Sequence, residues 1–127
     1  MIASAVPAGH VVLHASAVGD GQAPAALERA EGLFSAARDS GHPITVEVAA
    51  NGSGLDLLRS AVSPHARRIE ALQRAHPSLL FIACGQTVQK LRQRGDDVRL
   101  LPGTGVATSA RDQIVLRLQQ GWAYLRV

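Results

Sequence analysis

The chain is poor in several kinds of residue, and each shortage closes off a class of protein. Aromatic residues fill 3% of its 127 positions, too few for the stacking platforms on which single-stranded nucleic acid is usually held. There is one cysteine, so no intrachain disulfide can form, and a reducing compartment is the expected setting. No apolar run approaches the length of a membrane span. The first residues lack the basic segment of a secretory signal, and Pro7, Gly9 and His10 interrupt them,. His10, His42, His65 and His76 are scattered, with no metal-ligand spacing,. A cytoplasmic protein is expected, with no membrane or nucleic-acid partner, no metal and no cofactor.

What is present describes a globular domain. Hydrophobic residues make up 46% of the chain and charged residues 18%, the balance of a folded rather than a disordered sequence. A single domain of this length buries about two-thirds of its unfolded surface, enough for a core without staples. The formal charge of +3 comes from 13 basic and 10 acidic residues. That small excess, mostly arginine, fits solvated helix faces, with a local anion site as the sharper alternative.

Residues 1–9 carry no period and read as a loose leader; residues 10–127 read as one domain. Val11-Val12-Leu13 is a short apolar strand ending at His14,. Gly19 to Gly21 is turn-prone, Pro24 suits the start of a helix, and Leu27, Ala30, Phe34 and Ala37 share one helical stripe,. Ile44 to Ala49 is a β-branched second strand. Ser53 with Asp56 has capping-box spacing, which predicts a short helix, and Ser63-Pro64 predicts the start of another. Leu79 to Cys84 is the third strand, followed by a helix from about Gln86 to Arg94. The fourth strand falls either on Val98 to Leu101 or on Gly105 to Ala107. Ser109 and Asp112 repeat the capping-box spacing before a helix whose stripe is Ala110, Ile114 and Leu118. Trp122 to Val127 is the last strand. Strands and helices alternate about five times with crossovers long enough for helices, which implies an α/β fold with a mostly parallel sheet covered on both faces.

In such a sheet ligands gather at the carboxyl ends of the strands. Four features fall there: His14, the turn Asn51-Gly52-Ser53-Gly54, Cys84, and Thr104 to Ser109. Cys84 ends a strand and precedes a helix, where free N–H groups and the helix dipole favour a thiolate, the reactive form of the residue. The plainer reading is a buried cysteine that acts as a small hydrophobe. The Asn51 to Gly54 turn can cradle an anion with backbone N–H groups, or be no more than a tight turn and helix cap; it lacks the dinucleotide fingerprint. His14 is a candidate base or donor, or a hydrogen-bonded structural residue. Ser16, Ser53 and Ser109 lack the setting of a hydrolase nucleophile.

The ordered segments VVLHAS, VEVAANGSGLDLL, LLFIACGQT and LLPGTGVATSARDQIVLRLQQGWAYLRV resemble the DsrE/DsrF-like proteins, and in particular their small stand-alone branch, over about residues 10–127. The resemblance implies a three-layer α/β/α sandwich with a sheet of about five strands, and a homo-oligomer, trimer or hexamer. It also implies an intracellular sulfur-handling role, in which a single cysteine, here Cys84, carries a persulfide in sulfur relay or sulfur oxidation; His14, if close, would help it as a second catalytic residue, and a basic residue such as Lys90 or Arg111 would favour the anion. A sulfur donor or acceptor protein would then be the partner. Two other readings stand beside it. One is a non-catalytic oligomeric module that binds a small anion or nucleotide through Asn51, Gly52, Ser53, Gly54, Thr108 and Ser109. The other is a protein-interaction scaffold that uses Leu116, Trp122 and Tyr124.

Overall fold

The computed structural model describes residues 9–16 and 22–127, with the side chains of 22–24 left aside. The leader expected over residues 1–9 lies outside this range except for Gly9, which already belongs to the first strand, and so does the Gly19 to Gly21 turn. Five strands, β1 (Gly9–Ala15), β2 (Ile44–Ala50), β3 (Leu79–Cys84), β4 (Gly105–Ala107) and β5 (Ala123–Arg126), form one sheet in the order β4-β3-β2-β1-β5. All neighbouring pairs are parallel. Four α-helices connect them: α1 (Gln22–Ser40), α2 (Ala66–Ala75), α3 (Gly85–Gln93) and α4 (Ala110–Gln119). The fold is a three-layer α/β/α sandwich.

The two faces of the sheet are covered unequally. One carries the main core, where Val11, Leu13, Val46, Val48, Leu79 and Phe81 pack against the α1 stripe and against Leu55, Leu57, Leu58, Ile69, Leu72 and Val88. Each such side chain contributes about 1.5–3 kcal/mol by leaving water. On the other face the buried apolar cluster is small: Val12, Ala49 and Ile114, with Trp122 against it. Among the described residues α4 is the only helix packed there. It starts beyond β4 at one edge and leads to β5 at the other, so it crosses the whole sheet.

With so little apolar surface, α4 is held by charge. Glu47, in the middle strand, is wholly buried. Its carboxylate accepts from Gln113 Nε2 at 2.7 Å and from Arg117 at 2.8 Å (Nη2) and 3.2 Å (Nε). The Arg117 guanidinium also lies 4.3 Å above the Trp122 ring, a cation–π contact. The inward side of α4 is therefore Ala110, Gln113, Ile114 and Arg117. The stripe expected from the sequence ended on Leu118, but Leu118 is 47% exposed, because Arg117 takes the inward position that the apolar pattern assigned to its neighbour.

Three local expectations change as well. The segment Gly52–Leu58 is a 3-10 helix capped from Asn51 with no side-chain cap bond, rather than a helix capped by Ser53. Ser63 accepts the His65 N–H in a turn, and α2 starts only at Ala66. Of the two candidates for the fourth strand, Gly105–Ala107 forms it; Leu100 makes an isolated antiparallel bridge to Arg59 instead. The Ser109 cap holds as expected, its Oγ accepting from Asp112 N at 3.0 Å.

Removing one partner of a buried ion pair strands the other charge. Arg117→Met is expected to lower unfolding free energy by about 3–5 kcal/mol. Glu47→Leu combined with Arg117→Met should recover most of that loss, as read from urea unfolding of the two variants and the parent chain.

Candidate functional site

The register of the sheet sets the site. His14 pairs with Ala49, and Ala49 with Ile82, so Cys84 lies two strands across and two residues further along than His14. With strands about 4.8 Å apart and a rise of about 3.3 Å per residue, their backbones are ~12 Å apart. Asn51, the first residue beyond β2, stands between them. Its side-chain oxygen accepts from His14 Nε2 at 3.0 Å. That fixes the proton on Nε2 and leaves Nδ1 to accept from the Tyr124 hydroxyl at 2.9 Å,. A chain Tyr124–His14–Asn51 thus runs along the carboxyl edge of the sheet toward the cysteine.

Cys84 is 4% exposed and borders a cleft of about 270 Å³ lined also by Asn51, Gln86, Ser109, Ala110, Arg111 and Asp112. Burial pushes its thiol up, yet the net shift is downward. The Thr87 hydroxyl and the backbone N–H groups of Thr87, Ala110 and Gln86 all favour the anion and outweigh burial,. Gln86 and Thr87 open α3, while Ala110 opens α4, so two helix starts converge on one sulfur atom.

Two glycines make this convergence sterically feasible. A Cβ at Gly85 would lie 2.6 Å from the Ala107 carbonyl oxygen and 3.2 Å from that of Thr108. Only a residue without a side chain lets the segment leading into α4 come so close to the start of α3. Gly52 has φ +55°, and a Cβ there would lie 3.1 Å from the Ser16 carbonyl oxygen. Its N–H donates to Thr87 Oγ1 at 3.1 Å. The Thr87 oxygen accepts from Gly52, and its own hydrogen is directed to the sulfur.

The sequence-derived candidates are therefore brought together unevenly. Asn51, Cys84 and Ser109 line one cleft. His14 reaches it through Asn51. Gly52 acts on it through Thr87, and the Gly54 N–H closes the turn onto the Asn51 carbonyl at 2.9 Å, so these two N–H groups are spent inside the fold rather than held ready for an anion. Ser53 and Thr108 are exposed and do not line the cleft. Thr87, Gln86 and Tyr124 are not singled out by the sequence as parts of a site around Cys84. The local signal for Thr87 is its place three residues after a strand-ending cysteine, in the first turn of a helix. Tyr124 has no local signal, since it meets His14 across 110 residues of sequence. Among the described residues no group of three His, Cys, Asp or Glu could hold a metal ion, and no helix is long and apolar enough to cross a membrane.

No protein-family model matches the chain, and no curated protein matches it. Among solved structures it is similar to MTH1491 from Methanobacterium thermoautotrophicum, a protein of unknown function, with 28% sequence identity and a TM-score of 0.79. The likeness covers 94% of this chain and 99% of that one. The two share the same fold.

The donors around Cys84 give a signed pH dependence. The thiolate is favoured in the folded state, so the stabilisation from Cys84 is full above the unfolded-state pKa and is lost as pH falls through the lower folded-state value. Thr87→Val removes the hydroxyl donor at nearly constant volume. It is expected to raise the Cys84 pKa and slow alkylation by iodoacetamide at neutral pH by about two- to tenfold, the worth of one hydrogen bond to the anion; the rate measured across pH reports both quantities.

Proposed function

We propose that this protein carries sulfur as a persulfide on Cys84, in sulfur relay or sulfur oxidation. The observation that carries the reading is a strand-ending cysteine at a cleft, whose thiol is lowered against its burial by the Thr87 hydroxyl and by the N–H groups of Thr87, Ala110 and Gln86. An inert packing cysteine has no use for them. The cleft lining carries one positive side chain, Arg111, and one negative, Asp112.

The chemistry follows from the thiolate. Cys84 Sγ attacks the outer sulfur of a donor persulfide, R–S–SH. A new bond forms between Sγ and that sulfur, and the bond between the donor's two sulfurs breaks. Its electron pair leaves with the donor as R–S⁻, which takes up a proton. The product is Cys84–S–SH, and no net oxidation occurs. When an acceptor thiolate takes the outer sulfur, the S–S bond breaks and its electron pair returns to Cys84 Sγ, so the donors that hold the thiolate also stabilise it as the leaving group. Tyr124, His14 and Asn51 position the wall of the cleft. Because Cys84 is so little exposed, the donor group must enter the cleft end-on, which fits a persulfide carried on a slender side chain or a small thiol.

Intact mass after incubation with glutathione persulfide tests the reading. Wild type should gain one sulfur atom that a reductant removes, and Cys84→Ser should gain none. A folded wild type that gains no sulfur would sink it and leave a module that binds small anions at the Arg111 side of the cleft.

A specific observation also favours assembly as a homo-oligomer. Val115, Leu116 and Leu118 are 44–47% exposed on the outer side of α4, so the apolar residues of this helix lie mostly on the side turned away from the sheet, the pattern of a helix that is covered there. These three side chains are uncharged, and a self-complementary contact with the same residues on a second copy would cover them. Leu116→Glu with Leu118→Glu is expected to shift the protein to monomers in light scattering while leaving its fold intact; a wild type that is already monomeric would refute the assembly.

A further inference from the structure

We propose that the buried Glu47–Gln113–Arg117 network is a positioning device for Cys84: it fixes the seat of α4 on the sheet and so holds the Ala110 N–H and the Arg111 side chain at the cleft. The inference rests on the cleft being the working site of Cys84, and it adds a second layer of residues to it.

The argument is geometric. α4 begins at the cleft, where its first two residues, Ala110 and Arg111, line the opening with Cys84, and the Ala110 N–H favours the thiolate. Only Ala110 and Ile114 of this helix are buried, and small contacts of that kind leave its rotation and sliding weakly specified. Gln113 and Arg117 lie one turn apart on its inner side and place three hydrogen bonds on one carboxylate. Directional bonds of this kind specify register where apolar contact does not. The carboxylate is itself fixed, since Glu47 sits in the central strand between Val12 of β1 and Leu80 of β3. Arg117 is clamped further by Trp122 and by Gln120 Oε1 at 2.9 Å. The Ser109 cap ties the start of α4 to its own first turn, not to the sheet. The directional bonds between the central strand and this helix therefore run through Glu47, beside the apolar contact of Ile114 with Val12 and Ala49.

The ionisable groups beside Cys84 are Arg111 and Asp112 from α4, with His14 behind Asn51. Glu47→Gln changes none of them. It keeps the size of the side chain but turns part of the acceptor into a donor facing Arg117. If the network positions α4, the full-length variant should alkylate with iodoacetamide about three- to tenfold more slowly at neutral pH, because one hydrogen bond to the thiolate is lost or stretched. The pH midpoint should rise in step. A purely structural role would lower stability in urea and leave that midpoint unchanged, and this result in a folded Glu47→Gln protein would overturn the proposal. Should Glu47→Gln fail to fold, Gln113→Leu removes one donor at a half-buried position and carries the same expectation; an unchanged midpoint there is equally decisive. Persulfide loading of the wild type, run in parallel, separates the two readings. A wild type that takes no sulfur but whose variants show the shifted midpoint refutes the sulfur role and leaves the positioning role standing.

Discussion

A sulfur atom held by donors from two helices requires two helix starts to lie almost in backbone contact, and position 85 is where that requirement is met. The Ala107 carbonyl oxygen occupies the space that any side chain there would need. Because glycine leaves that space open, the end of β4 can pass beside the end of β3 and turn directly into α4. From this one close approach follow the Ala110 N–H on the sulfur, Ser109 and Arg111 on the cleft wall, and the path of α4 back across the sheet. A second close approach occurs at Gly52, whose N–H donates to the oxygen of Thr87, the residue whose hydroxyl favours the thiolate.

The unequal faces of the sheet are the other half of the design. The face covered by α1 and α2 is an ordinary aliphatic core, tolerant of conservative change so long as volume is kept. The face under α4 depends on a few directional bonds around Glu47, and buried ionic groups of this kind are weak sources of stability compared with apolar packing. Their use here makes sense as a means of specifying where the helix sits. The site thus draws its rigidity from a region that contributes comparatively little to the overall stability of the domain.

How much of this was legible beforehand depended on whether the cause was local. β1, β2 and β3 were readable from short aliphatic runs, and the α1 stripe from its period, because burial of those residues is dictated by neighbours a few positions away. Cys84 was readable as a strand end beside a helix start. The three-residue strand β4 was ambiguous, since Val98 to Leu101 offers a longer apolar run that instead packs beside the 3-10 helix segment. The α4 stripe was misread because an arginine points inward, and what permits this is a glutamate 70 residues earlier. A lone acid in the strand ITVEVA was the available hint. The relay from Tyr124 through His14 to Asn51 depends on three strands being side by side, which no spacing along the chain encodes.

The placement of β5 beside β1 has a consequence for how the chain reaches this state. Four of the five strands can pair through local crossovers, each strand meeting one made shortly before it. β1 has to wait: its second neighbour is separated from it by the entire remainder of the domain, as the His14 to Tyr124 contact across 110 residues records. Pairings of such long range carry a large loop-closure cost and tend to form late. Until they do, the aliphatic strand GHVVLHA presents an open edge on which another unfinished copy can add a strand. The last step of folding then covers the seven-residue strand β1 and brings Tyr124 to His14 in one event, leaving the four-residue strand β5 as the edge of the sheet.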